Sequence, residues 1–388
     1  MPAPYRLSTP QLDDPYPYYR ELRDEDPAHY SPVEDLFVLT RFDDCLAVFS
    51  DFQMWSSERR GNLINDPPER IGRTLGTTDP PRHDVARRLV SKAFTPSRVV
   101  GLEPVIRTLA GRLSASAAAA GSFEFVQDFA APLNAAVLGA LFGLGEDDIL
   151  ELRPALDDFF TREEVTDGSE PPHVAAMATL REFLERLALD RRRNPGSDLV
   201  SAMIAAEDAG ARLELDQVVV TTMTFLTAGF ESVNNLFTNM AGALGTVAGL
   251  FDRLRGDISL VPAFVEEAMR WDAAAQGFVR CPTRDVELHS TTIPVGAQVL
   301  AHIGAANRDE RHFGDPDRFD LDRPPLRHLG LGHGAHFCVG APLGRLLARV
   351  AFEELLERVD AFTPDLATAI RVRTPNFRGF LRLDVSLG

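Results

Sequence analysis

The sequence predicts a mainly α-helical fold with a minor β region, and we expect residues 1–388 to form a single domain. Apolar residues recur at helical spacing across long stretches, most clearly over residues 99–156 and after Cys338. A longer helix, which Asp216 can cap, is apolar on nearly every face and is therefore expected to run through the core. Only short segments alternate as strands, and neither an internal repeat nor a long linker divides the chain.

The remaining elements follow in chain order. Residues 36–40 predict a strand and residues 43–50 a helix; the irregular stretch 55–78 is either a lid over a ligand or a plain surface loop. The prolines after Asp79 suit the first turn of the next helix, which we expect Asp79 to cap. Short extended segments are predicted at residues 123–126, 286–288, 291–293, 298–303 and 378–385, and an acidic loop at residues 161–172.

Composition and charge restrict the possible functions. The chain is 45% hydrophobic and 25% charged, as in ordinary globular proteins, and its 388 residues can build a core that encloses a sizeable ligand. The formal net charge of −17 argues against binding to a nucleic-acid backbone or an anionic membrane surface. Residues 232–251 carry no charge, but asparagines interrupt them, so they predict a buried helix rather than a membrane span.

The cysteines indicate the compartment. Cys45, Cys281 and Cys338 show neither the paired spacing of a metal site nor that of a disulfide framework. An odd number of cysteines without a signal peptide fits a reducing cytoplasm, so we expect a soluble, cytoplasmic protein. Cys45 and Cys281 are expected to be inert buried thiols.

A polar interruption marks the middle of the long apolar helix. Gly229, Glu231 and Ser232 lie there among apolar residues. A glycine costs a helix about 1 kcal/mol relative to alanine, and a carboxylate in apolar surroundings costs more unless it is paired. Together they indicate a widened helical turn that holds water. The alternative is a glutamate buried in a structural salt bridge.

The most specific pattern surrounds Cys338. A loop with glycines at 330, 332 and 334 precedes the cysteine, and a helix is predicted to begin within a few residues after it. Unpaired N–H groups and the macrodipole at a helix N-terminus lower the pKa of a thiol and suit its thiolate to hold a metal. A buried free cysteine behind a glycine-rich loop is the alternative.

Residues 331–340 resemble the haem-binding loop of the cytochrome P450 family, although Leu331 stands where that family usually has phenylalanine. The resemblance implies a P450 fold with haem b between the long helix and this loop, and Cys338 as the axial thiolate ligand of the iron. Four further sequence motifs, which occur along the chain in the same order as in that family, support the resemblance. The implied haem-contacting residues, besides Cys338, are His83, Arg87, Ala228, Gly229, Arg280, Leu331, Gly332, His336 and Gly340.

The resemblance also implies roles for these groups. His83, Arg87, Arg280 and His336 match positions that bind the haem propionates. Glu231 and Ser232 match the acid and alcohol that deliver protons, with serine where threonine is usual. The family's buried structural network corresponds to three further residues, namely Glu267, Arg270 and Arg318.

The implied function is an oxidoreductase, a haem-thiolate monooxygenase that inserts one oxygen atom from O2 into an apolar small organic molecule, with natural-product biosynthesis as a candidate setting. Electrons would come from a separate ferredoxin and its NAD(P)H-dependent ferredoxin reductase, and the protein is expected to be monomeric. Candidates for the docking face are Arg82, Arg88, Arg345 and Arg349, although an ordinary solvated face is an equal alternative. The rival functions are peroxide-driven, isomerising or phenol-coupling haem chemistry, and a non-catalytic ligand-binding or partner-binding role.

Overall fold

The computed structural model describes residues 2–6, 13–61, 63, 70–160, 172–325 and 327–387. Helices dominate these residues, which confirms the predicted mainly α-helical class. The helices are α1 (Tyr16–Glu25), α2 (Phe42–Ser50), α3 (Arg82–Ala93), α4 (Pro96–Gly101), α5 (Glu103–Ala120), α6 (Ala131–Phe142), α7 (Glu146–Phe160), α8 (Pro172–Arg193), α9 (Leu199–Ala205), α10 (Leu215–Thr246), α11 (Leu250–Gly256), α12 (Val261–Trp271), α13 (Ile303–Ala306) and α14 (Ala341–Arg358).

The β structure is confined to short strands. They are β1 (Ala28–Ser31), β2 (Leu36–Leu39), β3 (Trp55–Ser56), β4 (Ser122–Glu124), β5 (Glu207–Asp208), β6 (Ala211–Arg212), β7 (Phe278–Pro282), β8 (Val286–Leu288), β9 (Thr291–Ile293), β10 (Val299–Ala301), β11 (Thr363–Pro364), β12 (Ile370–Arg371), β13 (Phe380–Arg382) and β14 (Asp384–Ser386). The largest sheet has the order β1-β2-β10-β7-β3; its β2 and β10 are parallel and its other pairs antiparallel.

The predicted C-terminal strand is two strands rather than one. β13 pairs with β12, whereas β14 pairs with β11 and β4. Leu383, which is fully buried, separates them. The chain therefore changes sheets at this residue, which period-two alternation cannot reveal.

The long central helix is α10, which runs through the core as predicted. It has 32 residues and is continuous through Gly229, so the predicted widened turn does not appear as a break in the helix. Its N-cap is Glu214, in a reciprocal capping box with Gln217, and not Asp216 as predicted. Asp216 instead forms ion pairs with Arg73 and Arg181, at 2.6 and 2.8 Å.

The cap predicted for α3 is also wrong. Pro81 occupies the N-cap, and the carboxylate of Asp79 points back to the preceding loop. There it accepts hydrogen bonds from the Ser56 hydroxyl (2.5 Å) and the Ser57 backbone N–H (2.9 Å). Asp79 therefore stabilises the start of the irregular stretch 55–78. The middle of that stretch, and residues 161–171 of the predicted acidic loop, lie outside the described residues.

A buried ion-pair network supports the cysteine loop, but with a different third member from the one predicted. Glu267 and Arg270 pair at 2.7 Å, and Arg323, not Arg318, is the second arginine on Glu267, at 3.2 Å. The side chain of Arg318 is exposed. Arg270 also donates to the backbone carbonyl of Asn307 (2.9 Å), whose side-chain oxygen accepts from the Leu329 N–H (2.8 Å). The network thereby reaches the first residue of the glycine loop.

Across the described residues, the structure contains no helix with the length and apolar character that crossing a bilayer requires.

Candidate functional site

A cavity of about 320 Å³ lies among α10, α14 and the glycine loop. Its walls are mostly apolar, with side chains from α3, α6, α10 and the loop at Phe377. The structure brings all the residues predicted from the sequence to this cavity except Glu231: His83, Arg87, Ala228, Gly229, Ser232, Arg280, Leu331, Gly332, His336, Cys338 and Gly340. Segments far apart in the chain therefore converge on one cavity.

The side chain of Cys338 opens into this cavity. The Cys338 N–H donates to the carbonyl of Leu331 over 2.9 Å, which closes the glycine loop, and α14 begins three residues later at Ala341. Burial raises the pKa of the Cys338 thiol, while the N–H groups of Gly340 and Ala341 and the guanidinium of Arg87 act to lower it. The predicted lowering by the helix N-terminus is therefore present but outweighed by burial.

Glycines let the loop approach its neighbours closely. Gly334 has a left-handed φ of +67°, and a Cβ there would lie 2.4 Å from the carbonyl oxygen of Phe49. A Cβ at Gly330 would lie 2.5 Å from the carbonyl oxygen of Met269. Any side chain at either position would collide with backbone atoms. The loop is thus held against the ends of α2 and α12, and this fixes where Cys338 opens.

Polar groups gather at one edge of the cavity. His83 is 1% exposed, and its Nε2 has no hydrogen-bond partner among the described residues. Its ring centroid lies 4.5 Å from that of His336. Burial lowers the pKa of His83, and burial together with Arg280 and His83 lowers the pKa of His336 to about 3. Both imidazoles are therefore neutral at pH 7 in this setting.

The two cavity arginines are held by backbone carbonyls. Arg87 donates to the carbonyl of Phe337 (2.8 Å), and Arg280 donates to that of Val279 (2.8 Å). Arg280 is 3% exposed, and burial lowers its pKa to about 10 even though Asp79 acts to raise it. Among the described residues, these backbone carbonyls are the hydrogen-bond partners of the two arginines, and neither arginine forms an ion pair there. Two cations, the buried Arg280 and the half-buried Arg87, thus line the cavity, and neither is bound to a carboxylate among the described residues.

Ser57 is a site residue that sequence reasoning missed. Its hydroxyl lies 3.2 Å from Nε2 of His336, and the residue is fully buried. It therefore orients that imidazole from the loop that Asp79 stabilises. No local pattern marks Ser57, since its partner lies 279 residues away in the chain.

The predicted acid and alcohol occupy different positions. Ser232 lines the cavity on α10, whereas Glu231 is half-buried and is not part of the cavity wall. Asn134, which sequence reasoning also missed, is fully buried on α6 and lines the cavity near them. Its amide donates to the carbonyls of Phe230 (2.9 Å) and Gly229 (3.3 Å), so it ties α6 to the turn of α10 that carries both residues.

This set of groups fits haem b. A thiol that opens into an apolar space offers the soft ligand that iron accepts in haem-thiolate proteins. The same space is lined by the guanidinium groups of Arg280, which is buried, and Arg87, which is half-buried, and both offer donors for carboxylates. Nδ1 of His83 lies 3.2 Å from Oδ1 of Asp84, so its Nε2 becomes a further donor when the ring is protonated. An apolar ring system with two acidic substituents satisfies both features, and a small polar metabolite satisfies neither.

Comparison with known proteins identifies the family. The cytochrome P450 family model matches residues 235–382. The chain is 36% identical over 381 residues to the putative cytochrome P450 123 of Mycobacterium tuberculosis, covering 97% of this chain and 94% of that protein. It is 33% identical over 382 residues to the cytochrome P450 monooxygenase PikC of Streptomyces venezuelae, covering 96% and 91%.

A solved structure agrees over the full length. The ligand-free structure of cytochrome P450 TbtJ1 superposes with a TM-score of 0.90 at 32% identity, covering 100% of both chains. The expected fold, enzyme class and haem cofactor are thereby confirmed. The chain belongs to the cytochrome P450 family, and it is a haem-thiolate monooxygenase that carries haem b on a cysteine thiolate.

Proposed function

We propose that Cys338 is the axial ligand of the haem iron and that the enzyme oxygenates an apolar small organic molecule in the cavity described above. The observation that carries this proposal is that Cys338 lines a largely apolar cavity that Arg87, Arg280 and His83 also line. When bound, the haem supplies the activation of O2. Leu331, Gly332 and Gly340 line the same cavity as Cys338 and would contact the haem, and Leu331 stands where the family usually has phenylalanine.

The propionate-binding role falls to Arg87 and Arg280, which form no ion pair among the described residues, and to His83, whose Nδ1 lies 3.2 Å from Asp84 but whose Nε2 has no partner there. Arg87 and Arg280 bring positive charge, and His83 brings a free nitrogen on a buried ring. His336 lines the same cavity, and its ring is oriented by the Ser57 hydroxyl and by a hydrogen bond to the backbone of Leu75. Carboxylates bound here would gain charge-assisted hydrogen bonds in a largely apolar cavity.

Proton delivery is assigned to Ser232 and Glu231. Ser232 lines the cavity, so its hydroxyl is placed to donate a hydrogen bond to a group that reacts there. Glu231 precedes it on α10, is half-buried, and can exchange protons between solvent and the hydroxyl. Ala228 and Gly229 line the cavity beside them. Asn134 holds this turn against α6.

The substrate class follows from the cavity lining. Leu75, Phe225, Leu236 and Phe377 are among the apolar side chains that face the space, and polar groups there are few. Such a lining favours an apolar organic molecule that is largely buried when bound. A screen of apolar compounds for changes in haem absorbance would identify members of this class.

We propose that electrons come from a separate ferredoxin and its NAD(P)H-dependent reductase. The four predicted docking arginines are all ion-paired within the chain: Arg82 with Glu58, Arg88 with Asp208, Arg345 with Glu266, and Arg349 with Glu103 and Glu353. An acidic carrier would have to compete with these carboxylates. We further propose that the protein is a monomer. We also propose a reducing compartment, which the free, buried Cys45 and Cys281 support.

The rival candidate is peroxide-driven chemistry in the same cavity, and Ser232 in place of threonine is the observation that favours it. Product formation with O2, a ferredoxin and a reductase should be compared with product formation with hydrogen peroxide alone. The monooxygenase assignment predicts turnover in the first system that stops without O2. Turnover with peroxide alone, and none with the complete electron-transfer system, would favour the rival.

A further inference from the structure

A buried carboxylate lies where three distant segments meet. Asp272 directly follows α12 and is 5% exposed. Its Oδ1 accepts hydrogen bonds from the Tyr16 hydroxyl (2.5 Å) and from Nε of Arg378 (2.6 Å), and Nη1 of Arg371 lies 3.6 Å from its Oδ2. Tyr16 is the first residue of α1, and Arg378 belongs to the C-terminal loop before β13. One carboxylate thus links the first helix of the chain to its last loop.

Backbone contacts extend this link on both sides. The Arg378 N–H donates to the carbonyl of Ala274 (2.9 Å), and the Gln276 N–H donates to the carbonyl of Asn376 (2.8 Å). The amide of Asn239, on α10, donates to the carbonyls of both Asp272 (2.8 Å) and Arg378 (2.9 Å). The segment after α12, loop 374–379 and α10 are therefore fixed relative to one another.

Phe377 lies at the centre of this arrangement. It bridges to Ala275 as an isolated antiparallel pair, and its own N–H donates to the Thr374 hydroxyl (3.1 Å). Phe377 is 9% exposed and lines the cavity together with Ala274 and Ala275. The residue beside it, Arg378, carries the guanidinium that Asp272 binds. The direction of the Phe377 ring thus depends on how loop 374–379 is held.

The link is maintained at neutral pH. Burial acts to raise the pKa of Asp272, but Arg378 and Arg371 lower it below its usual value, so the carboxylate stays ionised. Burial and the nearby Asp272 raise the pKa of Tyr16, so its hydroxyl remains a donor. Arg308 lies over the Tyr16 ring at 4.0 Å and holds it in place. Removing the Tyr16 hydroxyl would leave Asp272 with one donor fewer in a buried site.

We infer that Tyr16 and Asp272 are positioning residues that determine ligand discrimination in the cavity by holding Phe377 through Arg378. This inference rests on the proposed function, because it assumes that the cavity beside the haem receives the substrate. Neither residue lines the cavity, so their effect is transmitted through loop 374–379. Residues that discriminate between substrates therefore extend to the N-terminal helix.

The test uses the haem-loaded enzyme and two ligands of different size, imidazole and 4-phenylimidazole, with dissociation constants measured from haem absorbance. The variants are Tyr16→Phe, Phe377→Ala and the double variant, with Tyr30→Phe as a matched control, because the Tyr30 hydroxyl also donates to a carboxylate (Asp35, 3.0 Å) but at the surface. The quantity compared is the ratio of the dissociation constant of 4-phenylimidazole to that of imidazole. We expect Tyr16→Phe to raise this ratio about three-fold or more. Tyr30→Phe should leave that ratio unchanged.

The double variant distinguishes transmission through Phe377 from a general loss of rigidity. In the Phe377→Ala background, Tyr16→Phe should have no further effect on the ratio. An unchanged ratio in Tyr16→Phe, a shift toward tighter 4-phenylimidazole binding, or an equal shift in the Phe377→Ala background would overturn the inference. Wild-type protein without the spectrum of a haem thiolate would instead refute the proposed function, so the two failures are distinguishable.

Discussion

Arg323 places its Nε 3.2 Å from Oε1 of Glu267, with both side chains nearly buried. The same carboxylate is held by Arg270 at 2.7 Å, so two guanidinium groups share one acid. Arg323 also donates to the carbonyls of Gly314 and Arg318, which fastens the segment before the glycine loop. Glu267 and its two arginines thus fix the approach to Cys338.

The first prediction compares the two arginines of that segment. Arg323→Ala removes one partner of a buried carboxylate and should lower the free energy of unfolding by about 1–3 kcal/mol. Arg318→Ala, in an exposed position, should change it by no more than about 0.5 kcal/mol. Chemical denaturation of both variants with equal haem content measures the difference. Equal effects, or a larger effect at Arg318, would contradict the placement of Arg323 in the network.

His83 provides the second prediction, which concerns haem retention. Its buried Nε2 has no partner among the described residues, and its Nδ1 contacts only the exposed Asp84, so His83→Phe should cost the haem-free protein little stability. With haem present, one hydrogen bond to a carboxylate is lost, and retention should fall about ten-fold. Transfer of haem to an acceptor protein measures this. A variant with unchanged retention would exclude His83 from the propionate site.

The third prediction concerns Ser232 and Glu231. Ser232→Ala should keep haem content and ligand binding but uncouple the reaction, so that NADH and O2 are consumed, hydrogen peroxide accumulates and product falls. Ser232→Thr keeps the hydroxyl and restricts its rotamer, so it should keep or improve coupling. Glu231→Gln removes the ionisable group and should slow turnover by about 10²-fold. The ratio of product formed to NADH oxidised is measured for each variant.

Wild-type coupling in Ser232→Ala would mean that protons reach the cavity by another route. The peroxide-using alternative would then become the better explanation of the site.

The fourth prediction concerns pH. His302 is fully buried, its Nδ1 accepts from the Ala305 N–H (3.2 Å), and burial lowers its pKa to about 3. Between that value and the ordinary pKa of about 6.5, the unfolded chain binds one more proton than the folded chain. This group therefore stabilises the fold fully above pH 6.5, and its contribution falls by about 1.4 kcal/mol per pH unit below it.

His302→Asn keeps a side-chain acceptor for the Ala305 N–H but does not titrate, so its free energy of unfolding should decline less steeply between pH 6.5 and pH 5. Denaturant titrations at several pH values provide the comparison. Parallel pH profiles for the variant and wild type would show that His302 is not buried in its neutral form.

How much of the fold and of the site can be predicted from the sequence depends on whether the interacting residues are close together along the chain. The loop at Gly330 and Gly334, the cysteine and the helix after it follow one another in the chain, so local propensity and spacing predicted them. Ser57 and Asn134 contact partners 279 and about 95–100 residues away, and no local signal marks them. These contacts exist only because tertiary packing brings separate elements together.

The wrong predictions have the same origin. Arg318 and Arg323 are both arginines in one short segment, and only the path of the backbone decides which one meets Glu267. Asp79 has the chemistry of a helix cap, but the hydroxyl and N–H groups of residues 56 and 57 compete for its carboxylate. Local chemistry names the candidate donors and acceptors, whereas the fold chooses among them.

The most direct test of the central assignment is the ferrous–CO absorbance spectrum of wild type, Cys338→His and Cys45→Ser. Cys45 is the matched control because it is fully buried, and its thiol donates to the Leu39 carbonyl (3.2 Å), a bond that serine can also make. Wild type and Cys45→Ser should show the red-shifted Soret band of thiolate ligation, and Cys338→His should lose it. An unchanged band in Cys338→His would contradict the assignment of Cys338 as the haem ligand.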